Sequence, residues 1–147
     1  MTETTETTET TNPTETTNPT EPVARLRNVV LDCPDPRALA EFYAAIIGGT
    51  IEDDGDWVDL VAPGRVKVSF QRVTDLRPPR WPHSDGDAQQ LHLDLDAGRT
   101  DAEIDAAQEK VLALGARPLD LDDDGGKRDF RVYADPAGHP FCLCKIP

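Results

Sequence analysis

From residue 23 onward the apolar and polar positions fall into segments of two distinct periods. The stretch 90–96 (QLHLDLD) alternates without a break, the period of a half-buried strand. Leu91, Leu93 and Leu95 share one face, and His92, Asp94 and Asp96 share the other. The leucines are expected to back onto a helix, and the imidazole and carboxylates to meet water or line a polar cavity. Residues 23–31 (VARLRNVVL) form a β-rich run, and 50–52, 57–61 and 65–73 read as further strands. Between them, Leu39, Phe42, Tyr43 and Ile46 recur at helical spacing, with Asp35 as N-cap, Pro36 in the first turn and Gly48-Gly49 at the end. Asp54-Gly55 and Pro63-Gly64 are turn signals.

The same order then returns. Residues 89–95 form a strand, and 101–114 a helix with Ile104, Ala107, Val111 and Leu114 on one face and Gly115 at its end. Strands follow at 116–119, 130–134 and 141–146, with a turn at Asp135-Pro136-Ala137-Gly138. Superposing the halves puts Asn28 on His92, Leu31 on Leu95, and Asp32 on Asp96. Ile47-Gly48-Gly49 falls on Leu114-Gly115-Ala116, and Pro63-Gly64 near Pro136-Ala137-Gly138. The second half carries a three-residue insertion before its helix. This repeat predicts an α+β domain of two βαβββ modules, 23–73 and 89–147, whose sheets curve around a shared cavity. The Pro-rich segment 74–88 joins them, with Trp81 able to close the cavity.

Residues 1–22 are of a different kind. From Thr2 they run as seven Thr/Glu/Asn/Pro triplets with no apolar side chain, which predicts a disordered tail. It has neither the apolar stretch of a secretion signal nor the arginines of a transit peptide. Net charge is −13, of which the tail's five glutamates carry −5 and the domain −8. Such an acidic domain argues against nucleic acid or an anionic membrane as partner. No apolar run has the length of a membrane span. The three cysteines are odd in number, and Cys142 and Cys144 share a strand face where they are poorly placed to bond each other. Free thiols and a cytoplasmic location are therefore expected.

The blocks Leu31-Asp32-x-x-Asp35, Ala40-Glu41-Phe42-Tyr43-x-x-Ile46-Ile47-Gly48, Leu91-His92-Leu93-Asp94, Leu114-Gly115-Ala116 and Asp135-Pro136-Ala137-Gly138-His139-Pro140-Phe141 cover most of residues 23–147. In this order the sequence resembles the vicinal oxygen chelate superfamily, and within it the glyoxalase-like and bleomycin-resistance-type domains. The resemblance implies the glyoxalase/bleomycin-resistance/dioxygenase fold, a cupped incomplete barrel. It also implies a small-molecule site in the cup, a divalent metal in many members, and a homodimer. Of the family's four metal-ligand places, the first is Asn28 and the third His92. The second falls on Val68, or on Gln71 if a bulge shifts the register. The fourth falls on Cys142, where a Glu is usual.

His92, Cys142 and Asn28 are the ligand set if a metal is present, but one good match in four is thin for a tight site, and no cofactor is expected. Asp94 lies roughly 7 Å along the strand from His92. The candidate ligand-binding residues are Asn28, His92, Asp94, Cys142, Trp57 and Phe70, with His92 as the acid/base. Tyr133 is a further aromatic available to line the cup, while Phe141 is expected to pack under a helix. Cys33 and Cys144 read as packing thiols, and His83 and His139 as surface residues. Asp120-x-Asp122-x-Asp124-Gly125 begins like a calcium loop, but Arg131 stands where the bidentate glutamate is needed, so a solvated acidic loop is expected. Two functions stand side by side: a glyoxalase-like lyase or isomerase using His92, and a non-catalytic protein that sequesters its ligand. The acidic surface would suit a cationic ligand.

Overall fold

The computed structural model describes residues 22–82 and 90–147. Residues 1–21 of the tail and His83 lie outside these residues. The chain runs β1 (Val29–Cys33), α1 (Pro36–Ile47), β2 (Thr50–Asp53), β3 (Trp57–Val61), a 3₁₀ turn at Pro63–Arg65 and β4 (Lys67–Arg72). It then runs β5 (Leu93–Gly98), α2 (Asp101–Ala113), β6 (Arg117–Asp120), β7 (Phe130–Ala134) and β8 (Pro140–Lys145). Each half forms its own four-stranded mixed sheet, ordered β1-β4-β3-β2 and β5-β8-β7-β6. The first strand of each module pairs parallel with the last, and the others pair antiparallel. The expected pair of βαβββ modules is what the chain forms, and the two sheets stay separate rather than closing into a barrel.

Local chemistry accounts for both helices. The Asp35 side chain accepts from the Ala38 amide at 3.1 Å, and Pro36 occupies the first turn, where a missing N–H costs nothing. Gly48 ends α1 with φ 75°, a conformation open to a residue without Cβ. Thr100 and Glu103 form a reciprocal capping box at the start of α2. Leu39, Phe42 and Tyr43 are buried on α1, and Ile104 and Val111 on α2, whereas Leu114 lies past the helix and is exposed.

The first strand of each module is shorter at its leading end than the alternation suggests. Pairing begins at Val29 opposite Val68 and at Leu93 opposite Phe141, so the residues before them have no neighbouring strand. Val23 and Leu26 are exposed as a result. Leu91 is 52% exposed and, contrary to expectation, does not back onto α2. Leu93 and Leu95 do pack against the core.

One core spans both modules. Tyr43 stacks on Phe70 at 5.8 Å and meets Phe141 edge-on, and Phe42 also meets Phe141 edge-on at 5.9 Å. Phe141 thus lies against a helix as expected, but against that of the other module. Tyr133 stacks on Phe141 in the same cluster, so it is a core residue and lines no cup. The Tyr43 hydroxyl donates to the fully buried Asp135 at 2.7 Å, and the other Asp135 oxygen accepts from the Ala137 and His139 amides. His139 is half-buried rather than a free surface residue: its Nε2 donates to the Asp32 carbonyl at 2.6 Å. The Asp-Pro turn of module 2 is therefore clasped to the helix and first strand of module 1.

Candidate functional site

Parity on β5 and β8 places the site. Asp94 lies opposite Cys142, and Asp96 opposite Cys144. Phe141 and Leu143, one residue out of phase, enter the core, so the thiols and carboxylates take the opposite face. There His92, Asp94, Cys142 and Cys144 line a cavity of about 180 Å³ together with the apolar Phe130, Val132 and Trp81. Trp81, from the connector, is one of the lining residues. Phe130 was not legible as a wall residue from its own strand, yet its register partner Cys144 puts it on the site's face.

The polar end is tightly grouped. His92 Nε2 lies 3.2 Å from Asp94 Oδ1. One ligand atom from each of His92, Asp94 and Cys142 lies within 4.8 Å of the others. The separation estimated from strand rise placed Asp94 too far off, because it measured backbone spacing and ignored two side chains on one face leaning together. Burial, and then the neighbouring Asp94 carboxylate, push the Cys142 thiol up to about 12. Burial followed by Asp94 and Asp96 raises Cys144 to about 11. Both are neutral thiols at physiological pH, so neither is an activated nucleophile.

The other expected site residues lie elsewhere. Asn28 Nδ2 donates to Ser69 Oγ at 2.5 Å on the sheet of module 1. Ser69 donates to Asp59, which also accepts from Trp57 Nε1 at 2.8 Å and pairs with Lys67 at 2.8 Å. Burial alone would raise the Asp59 carboxyl, but the hydrogen bonds from Lys67, Ser69 and Trp57 outweigh it and hold the group below its usual range. Asn28 and Trp57 thus belong to a self-satisfied cluster that does not line the His92 pocket. Phe70 is fully buried against Tyr43 and is not among the residues that line the His92 pocket. The modules meet through Phe42, Tyr43 and Phe141 on the core sides of their sheets, and the His92 pocket is lined by module 2 and the connector alone.

The second family position also shifts. Ser69, not Val68, corresponds to Cys142: Val30 pairs with Ser69 as Asp94 pairs with Cys142, while Val68 is buried in the core. The error came from matching Gly64 to Gly138. Ala62 N bonds Val66 O in one turn and Asp135 N bonds His139 O in the other, which sets Arg65 against Gly138. Arg65 has φ 63°, the left-handed conformation that a glycine supplies at 138. Gln71 forms no part of the site cluster.

In the acidic loop Asp122 and Asp124 are exposed, as expected, while its other carboxylates are paired. Asp120 pairs with Arg128, and Asp123 with the buried Arg131, which also bonds Asp105 and Gln108. Among the described residues, the group of side chains arranged to hold a cation is His92, Asp94 and Cys142.

The family model described as a glyoxalase-like domain matches residues 28–144. The chain belongs to the glyoxalase-like domain family. It thereby falls in the vicinal oxygen chelate superfamily. No curated protein sequence matches it. Its fold is similar to that of the hypothetical protein SA1046 from S. aureus, at 18% identity and TM-score 0.61, covering 85% of this chain and 96% of that one. It is also similar to the fosfomycin resistance protein FosX from Mesorhizobium loti, at 14% identity and TM-score 0.60, covering 85% and 94%. A mutant FosX from Listeria monocytogenes, complexed with Mn(II) and 1S,2S-dihydroxypropylphosphonic acid, gives 15% identity, TM-score 0.62 and coverage of 85% and 94%. At these identities the likeness establishes the fold.

A divalent metal is plausible for a glyoxalase-like domain of this kind, and the residues present suit one. Imidazole nitrogen, carboxylate oxygen and thiol sulfur are all donors that a divalent cation accepts. Asp94 stands in the set where Asn28 was expected.

Proposed function

We propose that this glyoxalase-like domain binds a small organic molecule in the pocket beneath Trp81. The observation that supports this most is the mixed lining of the pocket: the apolar Trp81, Phe130 and Val132 together with His92, Asp94 and two thiols. A mostly apolar wall with a few convergent polar groups is the usual form of a ligand site. The volume of about 180 Å³ suits a small ligand, or one end of a larger one. An apolar body would lie against the aromatic wall and a polar head would meet His92 and Asp94.

In the metal-free protein, His92 carries the chemistry. Asp94 on its Nε2 orients the ring, so the imidazole can take a proton from the bound molecule and return it elsewhere. That is the step a lyase or isomerase needs. With a divalent cation, His92, Asp94 and Cys142 would hold it, and the metal would polarise an oxygen of the ligand. The second reading, sequestration without turnover, draws on Asp94 and Asp96 beside the pocket, which favour a cationic head.

We further propose that the protein works as a homodimer in which the polar sheet face of one copy's module 1 covers the pocket of its partner. The argument is the apolar surface that each face leaves open: Val30 and Val61 on one, Phe130 on the other. Light scattering of the full chain tests it, and a monomer at micromolar concentration would end it.

A thermal-shift series with benzylamine, benzyl alcohol and benzoate tests the ligand reading on chelator-treated protein. Benzylamine or benzyl alcohol should stabilise the wild type. His92→Ala and Trp81→Ala should abolish the shift. Stabilisation that survives both substitutions would place binding elsewhere.

A further inference from the structure

We infer that the seam between the two modules holds a second ligand site, separate from the His92 pocket, for a small zwitterion with an apolar body, of the class of an apolar dipeptide. Its recognition groups are the Asp32 carboxylate and the Arg77 guanidinium.

The seam contains an open cavity of about 590 Å³, bounded by β1, by connector residues 76–79, by the stretch leading into β5 and by His139. Small-molecule sites commonly have volumes of about 300–1,000 Å³. This cavity and the His92 pocket share no lining residue. Leu91, which alternation would send under α2, lines the seam instead and is 52% exposed. Two contacts hold the walls together. His139 Nε2 donates to the Asp32 carbonyl at 2.6 Å. Gly138 lies so close to the connector that a Cβ added there would stand 2.5 Å from Pro78 Cβ, which seats the connector on the turn that carries His139.

Charge selects the ligand class. Asp32 and Arg77 are exposed and line the same cavity, yet among the described residues neither side chain has a hydrogen-bond or ion-pair partner, each other included. Arg37, Arg72, Arg128 and Arg131, by contrast, each hold a carboxylate. A simple anion would pair with Arg77 but meet the Asp32 charge and the net −13 of the chain. A simple cation would pair with Asp32 and be repelled by Arg77. A zwitterion satisfies both, with its carboxylate on the guanidinium fork and its ammonium on Asp32. Leu76, Pro78 and Leu91 supply apolar surface for its side chains.

Isothermal titration calorimetry of the full chain with leucyl-leucine tests the site, and one equivalent should bind. N-acetyl-leucyl-leucine lacks the ammonium, leucyl-leucinamide lacks the carboxylate, and glycylglycine lacks the apolar side chains. Each should bind at least about tenfold more weakly. Arg77→Gln should reduce leucyl-leucine to the level of the amide, and Asp32→Asn to the level of the acetylated peptide. Both side chains are exposed, and circular dichroism confirms that the variants fold. His92→Ala should leave the binding unchanged.

Absence of leucyl-leucine binding overturns the inference. So does equal binding of any of the three analogues, or a loss that follows His92 rather than Arg77 and Asp32. A failure here leaves the reading of the His92 pocket standing, and a failure of the benzylamine series leaves this one standing.

Discussion

The Tyr43–Asp135 bond is expected to be one of the costliest single hydrogen bonds in the chain to remove. Tyr43→Phe deletes one oxygen and leaves the ring stacked on Phe70 and edge-on to Phe141. Asp135 is fully buried and keeps two backbone donors on one oxygen, but its other oxygen loses the Tyr43 hydroxyl. A hydrogen bond to a charged group contributes about 1.5–3 kcal/mol, and a carboxylate oxygen left unpaired in the core falls at the upper end. The expected loss is about 2–3 kcal/mol, a substantial fraction of a typical domain's 5–15 kcal/mol. In urea the midpoint should fall by about 1–2 M with the slope unchanged. A double-mutant cycle with Asp135→Asn should return a coupling of about 1.5–2 kcal/mol. A loss below about 0.5 kcal/mol would refute the idea that this bond clasps the modules.

Four further outcomes are expected elsewhere in the chain. Burial raises Cys33, Cys142 and Cys144 from the usual 9.0 to about 11, 12 and 11. Raised groups stabilise fully below their unfolded values and lose that contribution as pH rises through the folded ones. Urea midpoints should therefore hold to about pH 9 and decline above it, and a flat profile to pH 10.5 would contradict this. Burial opposes the charge on Arg131, but bonds to Asp105 and Asp123 outweigh it and raise its pKa; Arg131→Ala should cost about 2–4 kcal/mol in urea unfolding by stranding Asp123 and loosening the acidic loop. Arg65→Gly should raise the melting temperature by relieving about 0.5–1 kcal/mol of left-handed strain, whereas Gly138→Ala should lower it, because φ is 96° and the added Cβ would strike Pro78.

The helix boundaries were legible because their chemistry is local. Asp35 and Pro36 act within four residues of where they stand, and the stripe of Leu39, Phe42 and Tyr43 states its own period. The repeat was legible because both modules use the same order of elements. Contacts between modules were not: Tyr43 and Asp135 are 92 residues apart, and nothing in either stretch names the other. Ser69 was missed for a physical reason, since Arg65 adopts the conformation that normally marks a glycine, and alignment on Gly64 moved the strand by one residue. One step on a strand exchanges faces, which turned a polar site position into the core residue Val68. Phe70 was misplaced by the same ambiguity of parity. Asp94 and His92 were visible from the start, because strict alternation on one strand leaves only two faces to choose between.

The central claim, that the face bearing His92, Asp94 and Cys142 is the ligand site, can be read from a single fluorophore. The chain has two tryptophans, and Trp81 walls the pocket while Trp57 lies on the other sheet. In a Trp57→Phe protein, emission comes from Trp81 alone. Titration with benzylamine should give a saturable change that disappears in the Trp57→Phe, His92→Ala double variant. An emission that does not respond, or a response unaffected by loss of His92, would contradict the assignment of the site.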